Sequence, residues 1–487
     1  MTSILDRFSD ISVLCLGDVM LDRFTYGSAG RISPEAPIPV LGITHQQSML
    51  GGAGNVVRNI LSLGGSATLV AVTGDDAEGR EISYLLEKED KLADALVSSG
   101  RRPTTVKTRF IADGQQLLRA DAEATHPLAK ETAGKILNAF EKALPASDIV
   151  ILSDYAKGVL SDEVLKRAIR LAADARKLVI ADPKSADFSR YAGVTLLTPN
   201  RKEMIAASDL PCDTDRHTEE AARSVLARDG IGTLLVTRSE AGMSLISTEK
   251  ASHFPAKAQE VFDVSGAGDS VIATLALAMG AGADMEDAAI LANLSGGIAV
   301  AKTGTAAVTH EELLAALHNE DIQAADEKIT SLAQARDIVD RWRARGLKVG
   351  FTNGCFDLIH PGHISLIRQS KAECDRLIVG LNTDDSIKRL KGPERPATNE
   401  TSRAIVLASL EDVDLVIPFA EDTPITLIEE IQPDVLIKGA DYTVETVVGS
   451  DFVLSTGGRV HLAELKDGFS TTRTIQKLLD IDRKKAP

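Results

Sequence analysis

The chain has 487 residues, 44% of them hydrophobic and 25% charged, a globular balance with room for two or three domains. Its net charge of −16 opposes general attraction to nucleic acid or anionic lipid, so any phosphate ligand must be held by local clusters. No apolar run reaches the ~20 residues of a membrane span, the four cysteines show no paired metal spacing, and MTSILDRFSD lacks a basic-then-apolar leader; these features point to a cytoplasmic enzyme with reduced thiols.

Short β-branched runs alternate with helical stretches, the pattern of α/β architecture. Strands are predicted at ISVLCLG (11–17), ATLVAVTG (67–74), IVILSD (149–154), KLVIAD (177–182), VTLLTP (194–199) and TLLVTR (233–238). Helices fall between them, including VVRNILSLGG (56–65) and DEVLKRAIRLAADARK (162–177). From about 309 to 346 the chain turns polar and helical. New strands follow at KVGFTN (348–353), RLIVGLN (376–382), VDLVIPF (413–419) and DVLIKG (434–439). The expected division is a first domain over 1–318, a helical linker over 319–345 and a second domain over 346–487.

DVSGAGDS (263–270) offers the backbone N–H groups of Gly266, Ala267 and Gly268 at a helix start, a ready anion site. It also carries the carboxylate of Asp269. At ~4 Å and an effective dielectric near 20, carboxylate and phosphate repel by roughly 4 kcal/mol per charge pair. A helix N-terminus returns only about 0.3–1 kcal/mol, up to ~2. An aspartate there needs a use or a cation, and a general base beside an incoming phosphoryl group supplies one. The competing reading is a simple helix cap. GGAGNVVRNI (51–60) is a second glycine turn opening a helix, with Asn55 at its mouth. GDVMLD (17–22) supplies Asp18 and Asp22, suited to sugar hydroxyls at a strand end. TPNRKE (198–203) offers Asn200 and Glu203, suited to ordering Mg²⁺ through water. Lys107, Arg109 and Arg119 in KTRFIADGQQLLRAD, with Lys157 in SDYAKG, are cations that could anchor the phosphate of a phosphorylated acceptor. Each taken alone reads as a solvated surface charge.

These stretches resemble the ribokinase-like (PfkB) carbohydrate kinases over about 1–318: GGAGN and DVSGAGD look like the family's two signatures, and NRKE like its Asn-x-x-Glu motif. The resemblance implies a central, mostly parallel sheet flanked by helices, with a small β lid. It makes Asp269 the catalytic base and Gly266–Gly268 the anion hole. Asn200, Arg201, Lys202 and Glu203, with Thr237 and Gly242 of VTRSEAGM, would serve Mg·ATP. Asp18, Asp22, Gly51, Gly52 and Asn55 would face the sugar. Val264 and Ser265 stand where many relatives carry two threonines, and Ser239 where glycine is common.

In the second half, FTNGCFDLIHPGHISLI (351–367) places His360 and His363 three apart. No third ligand or HExxH pattern accompanies them, so zinc is not expected. A core or capping role for the pair stays open, beside donation of imidazole N–H groups to an α-phosphate under attack. TNGCFDLIHPGH resembles the nucleotide motif of the cytidylyltransferase-like nucleotidyltransferases, a Rossmann-like fold, and GFSTTRTI (468–475) their Ser/Thr-rich phosphate motif. The resemblance covers about 346–482 and implies that Thr352, Asn353, Gly354, Phe356, Asp357, His360, His363, Lys371, Arg403, Ser470, Thr471 and Thr472 surround a nucleoside triphosphate.

The fusion of these halves resembles a family of bifunctional heptose 7-phosphate kinase / heptose 1-phosphate adenylyltransferases that make ADP-heptose for the lipopolysaccharide core. That implies ATP as substrate of both halves, Mg²⁺, a homo-oligomer dimerised through the kinase half, and a separate phosphatase acting between the steps. A kinase for another sugar joined to a CTP-dependent sugar- or glycerol-phosphate cytidylyltransferase remains the alternative. So does a regulator that senses nucleotide without turnover.

Overall fold

The computed structural model describes residues 1–256, 261–302, 304, 306–440 and 442–464. The chain divides into two compact units, Met1–Leu317 and His318–Pro487.

In the first unit, the strands are β1 (Ser12–Gly17), β2 (Val19–Ile32), β3 (Pro39–Gly52), β4 (Ser66–Gly74), β5 (Leu92–Ser99), β6 (Val106–Ala112) and β7 (Gln115–Ala122). They continue with β8 (Ile149–Ser153), β9 (Leu178–Asp182), β10 (Leu196–Leu197), β11 (Thr233–Thr237), β12 (Met243–Ile246) and β13 (Ala251–Phe254). Among the described residues, the large sheet runs β13-β12-β11-β10-β9-β8-β1-β4-β5 and a small sheet runs β3-β2-β6-β7. The large sheet is parallel except where β12 and β13 turn back at one edge. Its central strands are buried on both faces, as continuous runs such as IVILS require. One core lies on each face, around Ile60, Leu275 and Leu291 on one side and Phe140, Leu165 and Tyr191 on the other.

Four helices of this unit position the site: α1 (Ala53–Ser62), α2 (Arg201–Ser208), α3 (Ala267–Gly280) and α4 (Met285–Val300). SVIATLALAM is apolar all round, so α3 is buried on every side from Asp269 to Met279 rather than on one stripe. It packs on α1 and α4 and over β1, β8 and β9. Gly266 opens it at φ 80°, a left-handed conformation that a side chain would strain. Parallel pairing of β1, β8 and β9 brings Gly17, Ser153 and Asp182 level. The C-terminal strand ends therefore form one rim beneath the start of α3, where ligands bind in open α/β sheets.

The second unit contains β14 (Val349–Gly354), β15 (Arg376–Asn382), β16 (Leu415–Phe419), β17 (Val435–Gly439) and β18 (Arg459–Ala463), all parallel in the order β16-β15-β14-β17-β18. The strand order reverses between β14 and β17, which makes the end of β14 the topological switch point. Helices α5 (Leu332–Ala344), α6 (Pro361–Ala372) and α7 (Glu400–Ala408) flank this sheet. Ala335 and Val339 bury α5 against Val349, Phe351 and Ile431, so this helix is part of the second unit's core. No helix among the described residues is long and apolar enough to cross a membrane.

The strands predicted at 67–74, 149–154, 177–182, 233–238, 348–353 and 376–382 fall within one residue of those found. The run 194–199 yields only the two-residue β10. Its following residues instead open α2.

Candidate active sites

Asp269 is the third residue of α3 and is only 4% exposed. Both of its oxygens are engaged. Asn55 Nδ2, from the start of α1, donates to Oδ2 at 2.7 Å, and the Tyr155 hydroxyl, from the loop after β8, donates to Oδ1 at 2.6 Å. Burial pushes the Asp269 carboxyl up to about 6, against the pull of those two donors. The other amide atom of Asn55, Oδ1, is buried and has no hydrogen-bond partner among the described residues.

Two cavities meet at the start of α3. One, of about 210 Å³, is lined by Asp154, Tyr155, Asp182, Asn200, Glu203 and Gly268. The other, of about 420 Å³, is lined by Gly242, Met243, Val264, Ala267, Asn293 and Val300. Thr237, Gly268 and Val271 border both. A Cβ built on Gly268 would meet nothing within 4 Å, so this backbone faces open space where the first-turn N–H groups lack intrahelical partners. The carboxylate-lined cavity thus leads past the helix start to a more apolar one.

Asn200 and Glu203 form a reciprocal capping box on α2: Asn200 Oδ1 accepts from Glu203 N at 3.0 Å, and Glu203 Oε2 accepts from Asn200 N at 3.0 Å. The motif reading of these residues as an Mg²⁺ site does not include this cap. Glu203 Oε1 is bound by Lys184 Nζ at 2.9 Å. Arg201 lies 3.9 Å from Glu240 and Lys202 is exposed; neither borders the cavity. Asp182, which the sequence reading missed, is pushed well above the usual carboxylate range by burial and by the neighbouring Glu203 and Asp269 carboxylates. Its position at the end of a predicted parallel strand was the available signal. Among the described residues no group of three or more His, Cys, Asp or Glu is placed to hold a metal directly.

The residues assigned to the sugar separate into two sets. Asp18 turns inward, accepting from the backbone N–H groups of Tyr155 (2.9 Å), Lys157 (3.0 Å) and Val159 (3.1 Å). It braces the loop after β8. Asp22 lies on β2 of the small sheet, not at the end of β1, and binds Arg109 Nη1 of β6 at 2.5 Å. A Cβ on Gly51 would come within 2.1 Å of Asp22 Oδ2, and one on Gly52 within 2.4 Å of Asp18 O. Lys157 pairs with Glu123 at 2.8 Å and Arg119 with Asp121 at 2.9 Å. Lys107 stands opposite Asp22 in the register, its Nζ 5.8 Å from the centre of the Tyr155 ring.

In the second unit, His360 stands at the N-cap position of α6 without a side-chain capping bond, and His363 lies in its first turn. Their rings stack with centroids 3.8 Å apart. Burial, with His360 and Lys391 nearby, pulls His363 down to about 4, and burial also lowers His360. Both are neutral at pH 7. At the end of β14, Thr352 Oγ1 and Asn353 Oδ1 are buried without partners among the described residues, and Lys438 Nζ of β17 donates to Asn353 O at 3.0 Å. Gly354 ends the strand and Phe356, at φ 45°, packs 5.2 Å from His363.

Three expected nucleotide contacts are engaged elsewhere. Lys371 sits in the last turn of α6, away from the histidines, and binds Asp414 at 2.6 Å and Asp375 O at 2.8 Å. Arg403 is 2% exposed and ties together Cys355 O, Asn382 O, Thr398 O and Asp384. Asp357 binds Arg395 at 2.6 Å and accepts from the N–H groups of Ala397 and Thr398. The spacing of a motif does not show which of its members face inward. Ser470, Thr471 and Thr472 lie outside the described residues.

Residues 10–312 match the pfkB family carbohydrate kinases, and residues 351–473 match the cytidylyltransferase-like family. Over nearly their whole lengths, curated relatives named Bifunctional protein HldE are similar to this chain. The Rhodospirillum rubrum protein is 54% identical, covering 98% of this chain and 97% of its own. The Caulobacter vibrioides protein is 54% identical over 97% of each. Among solved structures, phosphofructokinase-2 from Escherichia coli aligns with a TM-score of 0.54 at 20% identity, covering 63% of this chain and 99% of its own. Arabidopsis thaliana ribokinase complexed with ribose and ATP aligns at 0.50 and 19%, covering 63% and 98%. At that identity both support the fold alone. With a carbohydrate-kinase unit, a nucleotidyltransferase unit and full-length relatives of one kind, the chain belongs to the HldE family of bifunctional kinase–nucleotidyltransferases.

Proposed function

We propose a division of labour for the two sites of this heptose kinase and adenylyltransferase. In the first, Asp269 takes the proton from O1 of heptose 7-phosphate, that oxygen attacks the γ-phosphorus of ATP, and the bond to the β–γ bridging oxygen breaks. The products are the 1,7-bisphosphate and ADP. The paired donors on Asp269, with an unpartnered Asn55 Oδ1 beside it, carry this reading. The open backbone at Gly268 and the turn at Gly266 and Ala267 suit the charge that builds on the transferred phosphoryl group. Thr237 and Gly242 border the cavity suited to the rest of the nucleotide. The all-oxygen donors around Asn200 and Glu203 fit Mg²⁺ held largely through water and phosphates; when bound, it would neutralise phosphate charge. Asp22, paired with Arg109, and Asn55 suit sugar hydroxyls, and Lys107, without an ion-pair partner among the described residues, suits the distal phosphate.

In the second site, a phosphate oxygen of heptose 1-phosphate attacks the α-phosphorus of ATP and pyrophosphate leaves, giving ADP-heptose. No protein nucleophile is needed, since positioning and N–H donation suffice. The stacked neutral histidines, and Thr352 Oγ1 and Asn353 Oδ1 left unpaired at the switch point, support that placement. The ATP requirement fits a cytoplasmic setting. Exposed Ile32, Ile43, Leu117 and Leu118 on the small sheet suit the covered face of a homodimer.

Phosphate NMR of purified protein with heptose 7-phosphate and ATP should show a new anomeric phosphate. Heptose 1-phosphate should release pyrophosphate with ATP and far less with CTP. Release with CTP alone would favour the cytidylyl alternative, and release with neither would leave a nucleotide sensor.

A further inference from the structure

Asp18, Tyr155 and Asp269 are linked in sequence through the kinase site. The Asp18 carboxylate accepts three backbone N–H groups of 155–159, including that of Tyr155 itself at 2.9 Å. Ala156 takes φ 55°, and its N–H is held by Asp154 Oδ1 at 2.8 Å. The Tyr155 ring has Lys107 and the Gly52 backbone beside it. Lys107 Nζ lies 5.8 Å from its centre, and a Cβ on Gly52 would lie 3.5 Å from its Cδ2. A loop this constrained holds the phenol at one place, and at that place its hydroxyl meets Asp269 Oδ1 at 2.6 Å.

We infer that Tyr155 is a positioning residue of the kinase reaction: its hydroxyl, fixed by the Asp18-braced loop, orients the Asp269 carboxylate and holds it as the anion that takes the sugar proton. The inference rests on Asp269 being the base. A carboxylate oxygen accepts two hydrogen bonds, so Oδ1 can keep the phenol while a sugar hydroxyl approaches. The phenol itself stays protonated, because burial and the Asp269 and Asp182 carboxylates all disfavour its anion.

Every group facing Asp269 enters the expected pH behaviour. Burial raises its proton affinity, the Tyr155 and Asn55 donors lower it, Asp22 on β2 raises it and Lys107 on β6 lowers it. Asp182 on β9 and the buried Cys15 thiol on β1 also feel its charge. Removing the Tyr155 hydroxyl deletes one lowering contribution and leaves the others, so the carboxyl must hold its proton to a higher pH.

Tyr155→Phe keeps the ring and its packing. The acidic limb of its kinase pH–kcat/KM profile should move up by about one unit, with a loss of about tenfold below pH 6 shrinking to about threefold or less at pH 8. The remaining loss should appear in kcat rather than in KM for ATP, and nucleotidyl transfer should be unchanged. A limb that stays where it is in the wild type would overturn the inference. So would an unchanged kcat with a lower KM for heptose phosphate, because the phenol would then only occupy the acceptor's place. Should the Phe variant fail to fold, 3-fluorotyrosine at 155, a stronger donor, should move the limb down, and no movement would count against the proposal. Asp269→Asn separates the two levels. If that variant turns over, the base assignment itself fails; if it is dead while the Tyr155→Phe limb is unmoved, only the role of Tyr155 falls.

Discussion

Burial and hydrogen bonding oppose each other at Asp269, and the balance near 6 sets a pH window. The base must be ionised, so kinase kcat/KM should be flat above pH 7 and fall about tenfold per unit below 6; a limb near 4 would mean that an exposed carboxylate is the base. If Asp269 is the base proposed above, Asp269→Asn removes the proton acceptor while relieving repulsion with the nucleotide. It should cost about 10²–10⁴-fold in kcat with ATP binding nearly intact by calorimetry; lost binding would assign Asp269 to structure. His363→Ala should lower nucleotidyl transfer by about 10²-fold or more and leave the kinase rate alone. EDTA should stop both activities while a zinc-selective chelator should not, since the kinase cavity offers oxygen ligands and the His pair has no further metal ligands grouped with it among the described residues.

A different kind of residue controls the elements. Arg403 joins the end of β14, the end of β15 and the start of α7 through three carbonyls and Asp384. Arg403→Met would leave buried carbonyls unpaired and should cost at least about 3 kcal/mol, seen as an earlier melting transition with kinase activity retained. A lost nucleotide affinity at unchanged stability would restore it to the ligand. Sequence alone made the strand ladder and both glycine turns legible, because continuous β-branched runs and Gly-initiated helices are local signals. The 14-residue strands β2 and β3 were not, since their polar stretches pair with each other in a half-exposed sheet and carry no apolar run. Tyr155 and Asp182 escaped for a related reason: one follows and the other ends a correctly read strand, yet the groups they meet, Asp269 for both and Glu203 for Asp182, lie on helices 21 to 114 positions further along the chain. Lys371 and Arg403 show the converse, motif positions whose charges are spent within the fold.

For the molecule as a whole, the decisive feature is that each unit has its own core, with the proposed machinery of one reaction at the start of α3 and of the other at the start of α6. The kinase product carries phosphates at both ends, whereas the second reaction takes a sugar with a phosphate only at position 1. On the proposed reactions, a separate phosphatase would remove the distal phosphate between the two, and the intermediate would leave the chain. Residence of both sites on one polypeptide then gives no obligatory hand-over. Asp269→Asn and His363→Ala should consequently complement one another as separate proteins. With heptose 7-phosphate, ATP and a bisphosphate phosphatase, an equimolar mixture should form ADP-heptose at about half the rate of the same total concentration of wild type, as independent sites require. Without phosphatase, neither the mixture nor the wild type should release pyrophosphate, and both should accumulate bisphosphate. A mixture that stays silent while wild type proceeds would mean that the intermediate is passed between sites of one chain or one assembly, and that the phosphatase acts on it without its release.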